Sequence, residues 1–329
     1  MNKIPVVISS DNKIFFTVGV VLSSLLENAH PNTFYDINVL HTRDVTQENL
    51  KALLKLKSQY PNMSLNLFDM GDKFQKIPHS KNYHVNYVSA YKMLIPSLFP
   101  QYEKVIYLDT DIIVRGDLTE LYNFKMQDNY IASIPVLTNC ILKPESLKQI
   151  LDVPNIDFYI NAGVMLMNLT AIRKHHIAEQ WIKLLGTFEG SVDQHILNKV
   201  CYGKTTYFPL RFNVCLSEIN LYKFPEAFAY YSPKEITEAL NNPVIFHWSG
   251  KPKPWLYKDL FLAQEWLKYY FKSPVKTTLD RKALPHSTHI KKYYLFHKQV
   301  FRIEDCPDRK KFYLFKAKVG SFKKGDCKK

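Results

Sequence analysis

The sequence predicts an α/β fold with a mostly parallel central sheet, extended at its C-terminal end by a basic, aromatic-rich segment. Three observations carry this expectation. Short β-branched runs alternate with apolar residues at helical spacing, the pattern of a sheet covered on both faces. The 329 residues are 46% hydrophobic and 22% charged, enough apolar mass for a large core and too little charge for a disordered chain. The net charge of +14 is uneven: residues 276–329 hold 16 Lys and Arg against 5 Asp and Glu, a net of +11, so the first 275 residues carry only +3.

Residues 4–9 form an apolar, β-branched run that reads as a strand, and residues 18–26 place apolar side chains at helical spacing. A strand is expected at 35–40, then a helix over 47–56 with Thr46 as its N-cap. Residues 63–68 alternate with period two. Residues 105–108 are apolar between charged neighbours, the sign of a buried strand. Further strands are expected at 130–134, 164–167 and 244–246, and helices at 171–185, 193–200 and 260–271. No internal repeat is visible. A polar, Pro-flanked stretch at 274–285 marks a boundary between a body, residues 1–273, and a tail, residues 274–329.

The tail interleaves cations with rings, as in Lys291-Lys292-Tyr293-Tyr294 and Arg309-Lys310-Lys311-Phe312-Tyr313. Such a composition suits an anionic membrane surface, with rings at the interface and charges on phosphates. A nucleic-acid partner is not expected, because a nucleic-acid module would carry its charge on the body. No apolar run approaches the roughly 20 residues that span a bilayer. The apolar stretch after Met1-Asn2-Lys3 is too short for a signal peptide. The expected location is therefore cytoplasmic, peripheral on the inner face of the cytoplasmic membrane. The five cysteines (Cys140, Cys201, Cys215, Cys306, Cys327) are scattered and form no C-x-x-C pair, so reduced thiols are expected rather than a disulfide framework or a zinc site.

The chemistry concentrates where the strand at 105–108 runs into Asp109-Thr110-Asp111. In extended backbone, residues two apart point the same way. Two carboxylates there would converge just past a strand's C-terminal end, where open α/β sheets bind ligands. Like charges that close call for a cation, and a hard divalent ion such as Mn²⁺ or Mg²⁺ suits oxygen ligands. A bare D-x-D is also what a turn after a strand looks like, so other segments decide. Asn161-Ala162-Gly163 puts an amide and a glycine directly before an apolar strand. Asp193-Gln194 opens a helix. The run from His247 to Trp255 joins an imidazole, a glycine at Gly250 and lysines suited to phosphate oxygens.

In order, Asp11-Asn12 after the first strand, Y-L-D-x-D at 107–111, Y-x-N-A-G-V at 159–164, D-Q-x-x-L-N at 193–198 and H-x-x-G-x-x-K-P-W at 247–255 resemble the retaining glycosyltransferases of family 8. That group includes bacterial lipopolysaccharide galactosyl- and glucosyltransferases and the glycogenins. The resemblance covers roughly residues 4–270. It implies a GT-A-type nucleotide-sugar-binding domain and a hexosyltransferase using UDP-galactose or UDP-glucose, with a glycan or glycolipid as acceptor. It also implies that Asp109, Asp111 and His247 hold the metal, with Thr110 between the two aspartates. Gly250 and Lys253 would contact the phosphates, and Ser10, Asp11 and Asn12 the uridine. Asn161, Ala162, Asp193 and Gln194 would face the transferred sugar, with Gln194, Asp193 and Asn161 nearest the chemistry.

Three positions depart from the family pattern. Tyr91-Lys92 stands where many members carry an arginine, which would cost Lys92 the bidentate fork at the donor. Ile14 occupies the place of an aromatic that stacks on the base, with Phe15 as its substitute. Pro135 replaces a sugar-contacting aspartate. The family offers no carboxylate on the far face of the sugar, which implies front-face attack with the departing phosphate oxygen taking the acceptor proton. A nucleotidyltransferase using the same carboxylate and metal logic is the alternative, but Ser9-Ser10-Asp11-Asn12-Lys13 lacks its Gly-rich phosphate loop.

Overall fold

The computed structural model describes residues 2–74, 87–185, 188, 193–257, 259–277, 289–295, 298–305, 309–314 and 317–323. The chain divides into two compact units. The first is Met1–Ser249 with Lys268–Lys276, and the second is Gly250–Leu267 with Thr277–Lys329.

The first unit is built on a seven-stranded sheet. Its strands are β1 (Asn2–Ser10), β2 (Thr33–His41), β3 (Met63–Asp69), β4 (Lys104–Leu108), β6 (Ile131–Ser133), β7 (Val164–Asn168) and β8 (Thr205–Tyr207); β5 (Ile112–Val114) lies outside it. The spatial order is β3-β2-β1-β4-β7-β6-β8. From β3 to β4 all pairings are parallel, as is β6 with β8, while β7 runs antiparallel to both its neighbours. The chain moves outward from β1 to β3 and returns to place β4 on the other side of β1. That reversal makes the C-terminal ends of β1 and β4 a topological switch point, the position where such sheets take ligands.

A smaller sheet completes the site. Strand β5 follows Asp111 directly and pairs antiparallel with β10 (Ile245–His247), which pairs parallel with β9 (Val214–Cys215). The register sets His247 opposite Ile112, and Trp248 N donates to Asp111 O at 2.9 Å. An imidazole distant in sequence is thereby fixed beside the aspartate pair.

The helix Phe15–Glu27 is buried over nearly all its length, because both its apolar stripe and its small residues are covered. A Cβ at Gly19 would lie 2.2 Å from Ser273 Oγ, so only glycine admits that segment. Thr46 caps the helix Gln47–Leu54 through Asn49 N, as its position in sequence predicts. The helix expected at 171–185 is two, Leu169–Lys174 and Ile177–Leu184. Asn168 caps the first through Ala171 N, and His176 stands between them at φ 53°, a left-handed conformation that ends the first helix. His175 turns aside to pair with Tyr130 OH at 3.0 Å. Cys140, Cys201 and Cys215 are buried free thiols.

The second unit contains a four-stranded antiparallel meander of β11 (His289–Leu295), β12 (Lys298–Asp305), β13 (Arg309–Leu314) and β14 (Ala317–Lys323), joined in that order. Its Trp255 packs on Trp266 with ring centroids 5.6 Å apart, in keeping with a structural role. Cys306, Cys327 and residues 278–285 of the expected boundary lie outside the described residues. Among the described residues, no helix is long and apolar enough to cross a membrane.

Candidate active site

Strand β4 delivers the first carboxylate. Tyr107 is two residues before Asp109 on the same face, and its hydroxyl donates to Asp109 Oδ1 at 2.9 Å while meeting Ser9 Oγ of β1 at 2.8 Å. Asp109 N donates to Gly163 O at 2.7 Å, which prolongs the pairing of β4 with β7 past the strand end. Asp111 lies at the start of β5, and His247 Nε2 approaches its Oδ1 to 3.2 Å. One ligand atom from each of Asp109, Asp111 and His247 falls within 4.8 Å of the others.

Glycine at 163 makes that approach possible. A Cβ there would stand 2.5 Å from His247 Cε1 and 2.7 Å from Asp109 Oδ2. The donor set suits a hard divalent ion: two carboxylates plus a ring nitrogen, crowded enough that a positive charge among them is favoured. Protonation of the imidazole would supply part of it. Burial disfavours a charged His247, but the Asp111 carboxylate outweighs burial and raises the imidazole to about 10. Burial also pushes the Asp109 carboxyl up, partly opposed by the Lys92 ammonium and reinforced by Asp111. A divalent cation would take the place of that proton.

Lys92 lies beneath the site and is 1% exposed. Its ammonium bonds Asp193 Oδ2 at 2.6 Å and Ala162 O at 2.9 Å, stands 3.6 Å from Asp109 Oδ1, and covers the Tyr107 ring at 4.5 Å. Burial opposes its charge, yet Asp109 and Asp193 hold its pKa well above the ordinary lysine value. Burial alone would raise Asp193; the Lys92 ammonium instead keeps that carboxyl below its ordinary value. Lys92 is thus a counter-ion shared by two carboxylates, with its donors spent inside the protein. The loss of a bidentate fork expected for Lys92 is accordingly a loss at an internal ion pair.

Asp193 opens the helix Asp193–Val200. On the next residue, Gln194 Oε1 accepts from Ala162 N at 3.0 Å, and its Nε2 donates to Tyr159 OH at 3.0 Å. Asn198, one turn on, closes a two-way exchange with Ile160 at 2.7 and 2.9 Å, which locks the Asn161-Ala162 turn to this helix. Asn161 Oδ1 accepts from Gly163 N at 2.9 Å and from Asn213 Nδ2 at 3.0 Å. Asn161, Ala162, Asp193, Gln194 and Lys92 therefore form one bonded cluster with the Asp109 carboxylate.

At the end of β1, Ser10 is buried with its hydroxyl on Asp11 O, and Asp11 caps the following turn through Ile14 N at 3.1 Å. Asn12 Oδ1 receives Asn49 Nδ2 at 3.1 Å. These three share the sheet edge of Asp109, since Ile8 pairs with Leu108. Thr110 is buried. Phe15 is wholly buried, edge-on to His41, so the expectation that it replaces a base-stacking ring is wrong: the helix places it in the core, and Ile14 is the residue left half-exposed. Gly250, at φ +70° where glycine is favoured, and Lys253 belong to the second unit. Sequence reasoning gave no role of their own to Tyr107, Tyr159 and Asn213, or to Ser133, whose hydroxyl donates to Asn161 O at 2.6 Å. Tyr107 was findable from its spacing to Asp109, whereas nothing in the local pattern around Asn213 marks it.

The structure superposes on the galactosyltransferase LgtC, solved with donor and acceptor sugar analogues, with a TM-score of 0.68 at 22% identity, covering 84% of this chain and 98% of that one. It also matches the bifunctional glycosyltransferase WbbM, with a TM-score of 0.69 at 27% identity over 83% of this chain, which spans half of that protein. In sequence it is 26% identical over 299 residues to the lipopolysaccharide 1,2-glucosyltransferase of Escherichia coli, covering 84% of each. It is 23% identical over 257 residues to the lipopolysaccharide 1,3-galactosyltransferase of Salmonella typhimurium, covering 74% of this chain and 71% of the relative. The family described as glycosyl transferase family 8 matches residues 5–259, and the chain belongs to that family.

Proposed function

We propose that this glycosyltransferase moves galactose or glucose from a UDP-sugar to a lipopolysaccharide, lipooligosaccharide or related surface glycan, with retention at the anomeric carbon. The observation that carries this reading is the convergence of Asp109, Asp111 and His247 at the switch point of the sheet, in a chain whose relatives are named for glucose and galactose transfer to lipopolysaccharide.

Those three residues would hold Mn²⁺ or Mg²⁺, which when bound neutralises charge on the departing diphosphate. By the resemblance to the family, Gly250 and Lys253 are assigned to the phosphates, and Ser10, Asp11 and Asn12 to the uridine. Asn161 has its oxygen committed internally, which leaves its NH₂ group to donate to the sugar. Gln194 is held at both ends of its carboxamide, and Asp193 is tied to Lys92. Neither is disposed as a free nucleophile. Front-face attack follows, with the leaving phosphate oxygen accepting the acceptor's proton and the protein supplying position and electrostatics. A glycosyl adduct trapped on Asp193 or Gln194 would overturn that route.

The tail is assigned to an anionic membrane surface, and the enzyme to the cytoplasmic face of the membrane where its glycolipid acceptor is built. Residues 1–273 would then act as the catalytic body, and 274–329 as the contact.

A panel of UDP-hexoses scored for metal-dependent hydrolysis without acceptor tests the donor and the metal together. UDP-galactose or UDP-glucose is expected to be cleaved, and only with Mn²⁺ or Mg²⁺. Asp109→Asn and Asp111→Asn should each cut the rate by about 100-fold or more, beyond the loss typical of outer-shell partners. His247→Ala should regain part of its activity at high metal. Full turnover in excess chelator would remove the metal from the reading.

A further inference from the structure

The direction of a hydrogen-bond chain behind the site fixes which nitrogen of His247 carries a proton. Gly163 N can only donate, and it donates to Asn161 Oδ1. The oxygen end of Asn161 is thereby identified. The Asn213 atom 3.0 Å from that same oxygen must then be its NH₂ group. This turns Asn213 Oδ1 toward His247 Nδ1, at 2.9 Å, where an acceptor is satisfied only by an N–H. Nδ1 holds the proton, and Nε2 is the nitrogen that faces Asp111.

We propose that Asn213 is a positioning residue that presents His247 Nε2 to the metal and couples this ligand to Asn161. The chain is sealed from water: Asn213 is 0% exposed, His247 2% and Asn161 7%. No water therefore competes for the bond that sets the ring. The other polar group near Nδ1, Cys215 Sγ at 3.7 Å, is a weak acceptor and also lies 3.7 Å from Asn213 Oδ1. Asn213 comes from the turn between Leu210–Phe212 and β9, so β9 is held beside β10 for a chemical reason as well as a structural one. Partners behind a ligating imidazole orient the ring and raise its basicity. The inference rests on the metal reading for its consequence but not for its geometry.

The experiment uses the full ¹⁵N-labelled chain. A slowly exchanging His247 Nδ1–H proton is expected by NMR in the wild type, with or without Mg²⁺, and is expected to vanish in Asn213→Leu. Its absence from the wild type would overturn the proposal whether or not metal binds. By calorimetry, Asn213→Leu should bind Mn²⁺ about 10–100-fold more weakly than the wild type. Unchanged affinity would also overturn the proposal. Asn213→Asp guards against a simple folding failure. It keeps an acceptor at Nδ1, so the proton and the Mn²⁺ affinity should persist, while KM for the sugar nucleotide rises because donation to Asn161 is gone. Equal loss of metal affinity in both variants would indicate a merely structural residue. If Asp109→Asn and Asp111→Asn leave Mn²⁺ affinity untouched, the metal reading fails, and the NMR signal still decides the role of Asn213.

Discussion

A methyl group at Gly163 would stand inside the contact distance of both His247 and Asp109. Neither neighbour can yield, because His247 is held by Asn213 and Asp109 by Tyr107. Gly163→Ala should therefore cost about 1–3 kcal/mol of stability through overpacking. Its loss of Mn²⁺ affinity should be larger than that loss of stability implies, and calorimetry beside thermal melts separates the two. Lys92 makes the opposite case, since its mass is less important than its charge. Lys92→Met leaves the half-buried Asp193 and Asp109 carboxylates without their shared cation, and losing a hydrogen bond to a charged group costs about 1.5–3 kcal/mol. Lys92→Arg keeps the charge and should recover part of that stability. A Lys92→Met protein as stable as the wild type in urea would show that the carboxylates do not depend on the ammonium.

Single strands carry polar clusters of their own, and β2 bears one that sets an acid limb of stability. Asp36 is 4% exposed and takes hydrogen bonds from Ser64, Tyr102 and Asn66 and an ion pair from Lys3. Burial would raise its pKa, but the Ser64 and Tyr102 hydroxyls and the Lys3 ammonium together hold it below the ordinary value. A depressed carboxyl contributes stability at neutral pH. That contribution begins to fade as pH falls into the ordinary carboxylate range and is gone below the folded-state value. Asp36→Asn should cost about 1.5–3 kcal/mol at pH 7, the scale of a hydrogen bond to a charged group. Its denaturation midpoint should then depend less on pH below neutrality than the wild type's. These elements were legible in the sequence where periodicity was clean. The strands 4–9, 35–40 and 63–68, the Thr46 cap and the helix 193–200 all fall where apolar spacing puts them. The break at His175-His176 was not legible, because both flanking helices share one apolar period and only the left-handed His176 separates them. The aspartate pair was legible because i and i+2 share a face. Asn213 was not, because its role depends on a pairing between β9 and β10 that no local pattern encodes.

Across the whole molecule, charge is divided unevenly. The body, with a net of only +3 over 275 residues, is nearly neutral, and the tail carries +11. A lipid-linked acceptor is confined to a surface, so an enzyme held at that surface meets it at a higher effective concentration. The tail's cations are the means proposed for holding it. Each Lys or Arg near an anionic membrane contributes about 1 kcal/mol, screened beyond a Debye length of about 8 Å at physiological salt. Replacing Arg309, Lys310 and Lys311 by Gln should thus weaken binding to vesicles rich in anionic lipid by about 100-fold, roughly 3 kcal/mol in total. The catalytic body should be untouched, so hydrolysis of the UDP-sugar in solution should keep its wild-type rate, while transfer to a vesicle-bound acceptor falls. Raising the salt should weaken the wild type toward the variant. Sedimentation with anionic and with neutral vesicles measures both effects. If the wild type binds neutral vesicles as tightly as anionic ones, or if the triple variant sediments with anionic vesicles as fully as the wild type, then the basic tail does not anchor this enzyme by charge.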